Sequence, residues 1–222
     1  MTPQQIYPVL RAGGMTRAGA LGTIGNFMAE AGPDLNPQAV EIGRSKLSNA
    51  QYTRAADEGR IDFVNDRIGF GLAQFTAPDR KGWLQNFARQ TGRSVGDGMM
   101  QLEYVLWEMP EKFPRVWEKV TTSDDLEACC DLVCRSYEMP ATNNYIQRRM
   151  YAWQASNATQ GMDPAEPEPV EEPPAEDWDG TVASLQVCMA HDGYWPRDQI
   201  TGVKTPEFRE KIKEYAADVA AC

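Results

Sequence analysis

Gly22-Thr-Ile-Gly25-Asn26-Phe-Met-Ala-Glu30-Ala-Gly32-Pro33 is the stretch on which the fold turns. Together with Ala20, two residues before it, its apolar positions Ile24, Phe27, Met28 and Ala31 repeat at helical spacing. Thr16 is a good N-cap for this helix, and Gly32-Pro33 stops it. Glu30 falls in the last turn, flanking the Ile24/Phe27/Ala31 stripe rather than facing fully outward. Partial burial and the negative end of the helix dipole both favour a neutral acid at such a place. A carboxylic acid held neutral is what a general acid for glycoside cleavage has to be. Position alone also suits a plain solvated glutamate at a helix end.

Outward from this helix the chain stays mostly helical. A short helix is expected around Pro3–Ala12, ended by Gly13-Gly14, and others at 79–91, 98–109, 123–138 and 143–156. Residues 33–78 are rich in glycine and polar residues, with room for a short strand pair near 61–76. The fold class is therefore α+β, mainly α: a helical domain with a small irregular or β-containing lobe. Cys129, Cys130 and Cys134 share one helical face with Leu126, Val133 and Tyr137, so they read as core thiols. Trp83, Trp107, Trp117 and Trp153 are expected in the core, and Glu138 in a structural pair with an arginine such as Arg148.

Charge divides the chain. The net charge is −10, but residues 1–153 hold 17 Lys and Arg against 18 Asp and Glu. Residues 154–179 hold eight acids and no base, and within them proline recurs every few residues from Pro164 to Pro174. Such a stretch favours an extended, semi-rigid spacer. The expected organisation is 1–157 as the main domain, 158–178 as an acidic Pro-rich linker and 179–222 as a small, mainly α terminal module. Near-neutral domains lack the basic surface that nucleic acid requires. No apolar run approaches the ~20 residues that would insert into a membrane. The N-terminus lacks the pattern of a secretory signal, so accumulation in the cytoplasm is expected. Cysteines made there read as thiols first, although Cys188 and Cys222 lie in one module and could pair. His191 is the only histidine. Zinc peptidases and amidases usually need two, and a Cys-His peptidase needs one set against its cysteine. What remains is carboxylate chemistry, with no metal and no cofactor.

The quoted helix resembles the Gly-Asn-…-Glu-Ser-Gly motif of phage tail-type lysozymes, members of the lysozyme-like superfamily. Gly69-Phe70-Gly71-Leu72-Ala-Gln74-Phe75-Thr76, with Arg80-Lys81 after it, is similar to a second segment of that family. Tyr52 to Gly59 and Phe63 to Asp66 resemble its insert. Gln101 to Glu108, Ser136 to Pro140 and Arg148-Arg149 resemble its distal helices. The resemblance spans nearly all of residues 1–155, and five segments in the right order make it specific. Ala31 stands where serine is usual, Phe75 where tryptophan is, and Phe70 where tyrosine is. The aromatic exchanges keep a face for a sugar ring and lose its polar handle.

This resemblance implies a muramidase cutting the β-1,4 bond between N-acetylmuramic acid and N-acetylglucosamine, with Glu30 as proton donor. It implies Gln74 at the sugar, with Asn26, Phe70 and Phe75 beside it; an amide can both donate to and accept from sugar groups. Asp57 and Asp66 match the family pattern as candidates for the second carboxylate, though either also suits a loop-stabilising role. The partner implied is bacterial peptidoglycan, reached as a prophage endolysin released through a holin. A lytic transglycosylase on the same substrate, or a non-catalytic wall-binding or tail protein, are the rival readings. Residues 182–208 resemble a shortened peptidoglycan-binding repeat, with Tyr194 and Trp195 in its turn as wall-binding candidates. In that repeat Thr201 stands where Asp is usual.

Overall fold

A computed structural model describes residues 1–163 and Lys211. The chain divides into two units, Met1–Pro164 and Ala165–Cys222. The expected linker beyond Asp163 and the terminal module apart from Lys211, with Tyr194, Trp195, His191 and the Cys188/Cys222 pair, lie outside the described residues.

The first unit is built on α-helices: α1 (Pro3–Ala12), α2 (Arg17–Glu30), α3 (Asn49–Asp57), α4 (Pro78–Thr91), α5 (Gly98–Lys112), α6 (Pro114–Thr122), α7 (Leu126–Val133) and α8 (Tyr145–Ala158). A π-helical turn, Cys134–Glu138, extends α7. Thr16 caps α2 as its side chain accepts from the Gly19 N–H. The structure departs from the expected one-sided stripe, because α2 is buried all the way round from Ala18 to Met28. A helix apolar on every side belongs at the centre of a domain, and α1, α6, α7 and α8 pack around it.

Glycine makes that crowding possible. A Cβ on Gly22 would lie 2.7 Å from the Cys130 backbone nitrogen of α7, and one on Gly25 would lie 2.6 Å from the Arg148 carbonyl oxygen of α8. Both distances are far inside ordinary contact, so the backbones of α7 and α8 press directly on α2 at these points. Cys129, Cys130 and Cys134 are buried in this core, as expected. Trp153 and Trp107 are not: they are 51% and 39% exposed.

The smaller lobe, residues 33–77, is held by turns and by α3 rather than by a strand pair. Among the described residues only single bridges form there, Val40 to Phe70 and Phe70 to Phe75. The Tyr52, Phe63 and Phe70 rings pack against one another beneath it. Gln101 of α5 ties the lobe to the helices: its Nε2 donates to Pro37 O and Val95 O at 2.7 Å each, and its Oε1 accepts from Leu72 N–H at 2.9 Å. The folded unit also runs past the boundary expected at 157. Thr159 is fully buried, and Asp163 pairs with Arg17 at 2.5 Å and Arg11 at 3.4 Å.

Candidate active site

Where α2 ends, the chain turns through Gly32, whose φ of 90° is a left-handed conformation that suits glycine. The chain then doubles back along the smaller lobe. The result is an open cleft of about 650 Å³ between the lobe and the Pro140 turn. Glu30 and Gln74 both line it, together with Asp34, Glu41, Asn49 and Pro140. Two residues singled out in the sequence about forty-four positions apart are thus brought to one concave surface.

Glu30 is the last residue of α2, and its side chain is 16% exposed. Arg148 of α8 donates to its Oε1 at 2.5 Å. The same guanidinium donates to Asn26 Oδ1 at 2.9 Å and, through Nε, to Asn143 O at 3.0 Å. Arg148 was expected to pair with Glu138; instead it fixes Glu30. Asn26, expected at the sugar, is fully buried one turn earlier on α2 and holds Arg148 and the Cys130 carbonyl (2.9 Å). It orients a group that touches Glu30 and does not reach the cleft.

Gln74 adopts a φ of 41°, uncommon for a residue other than glycine. Its Nε2 donates to Ala39 O at 3.1 Å and Gly71 O at 3.0 Å, which holds the side chain against the lobe. Its Oε1 accepts no hydrogen bond from the described residues. Phe70 and Phe75 are not sugar platforms: both are fully buried. Phe70 packs on Tyr52 and Phe63, and Phe75 packs edge-on against Tyr104 under the Arg80 guanidinium.

The two aspartates expected as second carboxylates are committed elsewhere, and neither is among the cleft-lining residues. Asp66 accepts from Tyr52 Oη, from Ile68 N–H at 2.9 Å and from the buried Lys81 ammonium. Burial pulls the Lys81 amine below its ordinary range, and Asp66 opposes that fall. Asp57 accepts from Ser94 Oγ at 2.6 Å and Val95 N–H at 2.9 Å, and it lines a separate hollow with Arg89 and Arg93.

Glu41 is a further carboxylate at the cleft, and the sequence reading did not single it out. The Val40–Phe70 bridge carries it to the cleft, where its Oε2 accepts from Gly69 N–H at 3.1 Å and its own N–H donates to Gly69 O at 2.9 Å. Ile42 beside it is 99% exposed and forms an apolar rim. No local signal marks Glu41, since its partner Gly69 is 28 positions away.

Behind Glu30 lies a dense charge cluster. Glu108 is fully buried and accepts from Arg80 Nε (2.8 Å) and Nη2 (2.7 Å), Tyr104 Oη (2.7 Å) and Tyr137 Oη (2.7 Å). Glu138 closes the π-helical turn, and its Oε1 is buried without a hydrogen-bond partner. Desolvation pushes the Glu138 carboxyl well above the usual carboxylate range, and the neighbouring Glu30 charge adds to the rise. Glu30, Glu108 and Glu138 thus face the guanidiniums of Arg80 and Arg148, and a proton kept on Glu138 balances the group. Among the described residues no cluster of His, Cys, Asp or Glu has the arrangement of a metal site. No helix there is long and apolar enough to cross a membrane.

A family model described as phage tail lysozyme matches residues 2–158 of the chain. No curated protein matches it.

Proposed function

The chain belongs to the phage tail lysozyme family, and from that membership we propose that its first unit is a muramidase in which Glu30 acts as the general acid. Family membership supports a lytic action on peptidoglycan. The finer reading rests on one observation: Glu30, Gln74 and Glu41 line a single cleft. In it a sugar chain lies between the end of α2 and the smaller lobe. Glu30 protonates the leaving glycosidic oxygen, and Gln74 Oε1 accepts from a hydroxyl or acetamido group. Arg148 and the end of α2 hold the Glu30 carboxyl at the edge of the cleft, and sugar bound there excludes bulk water from the reacting bond.

The second carboxylate is Glu41 in this reading, activating water or stabilising the positive charge that develops on the sugar. Asp57 and Asp66, proposed from the sequence for that task, hold the lobe together instead. The bond cleaved is the β-1,4 linkage between N-acetylmuramic acid and N-acetylglucosamine. The biological role is that of an endolysin, released through a holin, with Tyr194 and Trp195 of the terminal module engaging the wall.

Glu30→Gln keeps the shape and removes the acid. It is expected to lower wall lysis by ~10²–10⁴-fold, the usual size of a general-acid contribution, with the thermal unfolding midpoint preserved. Near-normal lysis by that variant sinks the assignment. Mass spectrometry of the soluble products then fixes the reaction. Reducing N-acetylmuramic ends accompany hydrolysis and call for Glu41; anhydro ends mark a transglycosylase and make Glu41 dispensable.

A further inference from the structure

Away from the cleft, the loop between α5 and α6 opens a hollow of about 910 Å³. Lys112, Arg115, Lys119 and Arg135 line it against a single acid, Glu118. Its floor is apolar, formed by Phe113, Val116 and Leu132. The pattern of charge pairing sets this surface apart. Across residues 1–163, nine of the 17 Lys and Arg side chains form ion pairs. All four cations of the hollow are among the eight that form none with the described residues. Lys112 lies instead over the Trp83 ring at 4.6 Å and the part-exposed Trp107 at 5.9 Å.

Unpaired cations gathered over an apolar floor fit a ligand with both carboxylates and small apolar groups. We propose that this hollow is a second contact for the proposed substrate, and that it takes the acidic peptide stems of peptidoglycan; the inference rests on the function proposed above. The chain itself links it to the cleft. Arg135 and Ser136 line the hollow, and Pro140 and Ala141 line the cleft. Six residues span at most about 20 Å even fully extended, so one wall segment can touch both surfaces. Glycan held in the cleft then has its stems anchored by a surface that takes no part in the chemistry.

The test is co-sedimentation of the full chain with insoluble peptidoglycan treated to remove phosphodiester polymers. All proteins carry Glu30→Gln to suppress digestion; binding is read by pelleting on walls with stems intact, and by affinity-gel retardation on the soluble glycan strands that an amidase strips of stems. Arg115→Ala/Lys119→Ala/Arg135→Ala is expected to bind stem-bearing walls about tenfold more weakly, which is the sum expected of three exposed charge contacts. It binds stripped glycan as the parent does and unfolds at the same temperature. Arg115→Lys/Arg135→Lys retains binding. Unchanged binding by the triple variant, or an equal loss on stripped glycan, overturns the proposal. Pelleting needs no catalysis, so failure of the muramidase reading shows separately, in the digestion products of the unmodified chain.

Discussion

Gly25→Ala is expected to damage activity far more than stability, and the structure supplies both magnitudes. The added methyl would lie 2.6 Å from the Arg148 carbonyl oxygen and 2.7 Å from Ala152 Cβ. Ordinary contact is about 3.5–4.0 Å, so α8 has to retreat by about 1 Å. Overpacking of this kind costs ~1–3 kcal/mol, and exchanging glycine for alanine within a helix returns up to ~1 kcal/mol. The net loss of about 0–2 kcal/mol is small against the ~5–15 kcal/mol that holds a domain folded. Arg148, however, travels with α8, and it holds Glu30 at 2.5 Å. Misplacing a catalytic group by about 1 Å can cost ~10²-fold in rate.

Two assays on one preparation decide the matter: calorimetric unfolding, and clearing of a wall suspension at a temperature where every variant is folded. The expected result is a midpoint lowered by only a few degrees beside a rate lowered at least tenfold. Gly22→Ala is the control. Its methyl meets α7 at the Cys130 nitrogen, 2.7 Å away, so it strains the core similarly while leaving α8 in place, and it should keep more activity. If both variants lose activity in proportion to stability, Arg148 does not transmit packing to Glu30 and the reasoning fails.

Glu108→Gln leaves the buried Arg80 guanidinium without its counter-charge, which costs ~3–5 kcal/mol. At about 2–4 °C per kcal/mol the unfolding midpoint should fall by roughly 6–20 °C, and a drop under ~2 °C would contradict the buried pair. For Glu138 the folded carboxyl binds its proton more tightly than the unfolded one, so the native state carries the extra proton. The stability from that proton is complete below the ordinary carboxylate range and is lost as pH rises towards the raised value. Midpoints measured from pH 4 upward should therefore decline less steeply for Glu138→Gln than for the parent, and parallel curves would refute the buried neutral acid. Burial raises the thiols of Cys129 and Cys134 and pushes Cys130 up to about 12. None of the three should be alkylated by iodoacetamide at pH 8 until denaturant is added, as read by peptide mass spectrometry; rapid labelling of the native protein would show the core to be open.

Helices with strong local signals were legible in the sequence. The expected span of α1 matches the observed one, and α2 announced itself through Thr16 and Gly32-Pro33. Helix α3 was passed over as loop even though Ser48 and Gln51 form a capping box, because glycine and polar residues around it dilute the pattern. Helix α6 falls between the helices expected at 98–109 and 123–138; the structure keeps Pro110 inside the last turn of α5 and uses Pro114 to start α6. Glu30 and Gln74 were singled out through motif and spacing, and the fold brings both to one cleft. Glu41 was not, since only the folded bridge to Phe70 distinguishes it from a solvated acid. Asp66 was misread for the converse reason: its buried partner Lys81 lies 15 residues on, and nothing local shows that an aspartate answers a lysine in the core. Phe70 and Phe75 were read by type, whereas burial is decided by Tyr52, Phe63 and Tyr104 from other segments.

The all-round burial of α2 also governs how this domain can be made. The helix leaves the ribosome with side chains that the folded domain buries on every face, while the α8 residues that press on Gly25 are encoded more than 120 positions later. At about 5–20 residues per second, the nascent chain waits roughly 6–25 s before its last neighbour emerges. Folding is therefore a late event, closed by α8 across a long sequence separation. A stalled or truncated product ending before Tyr145 would leave the α8-facing side of α2 uncovered, a natural target for chaperones and proteases.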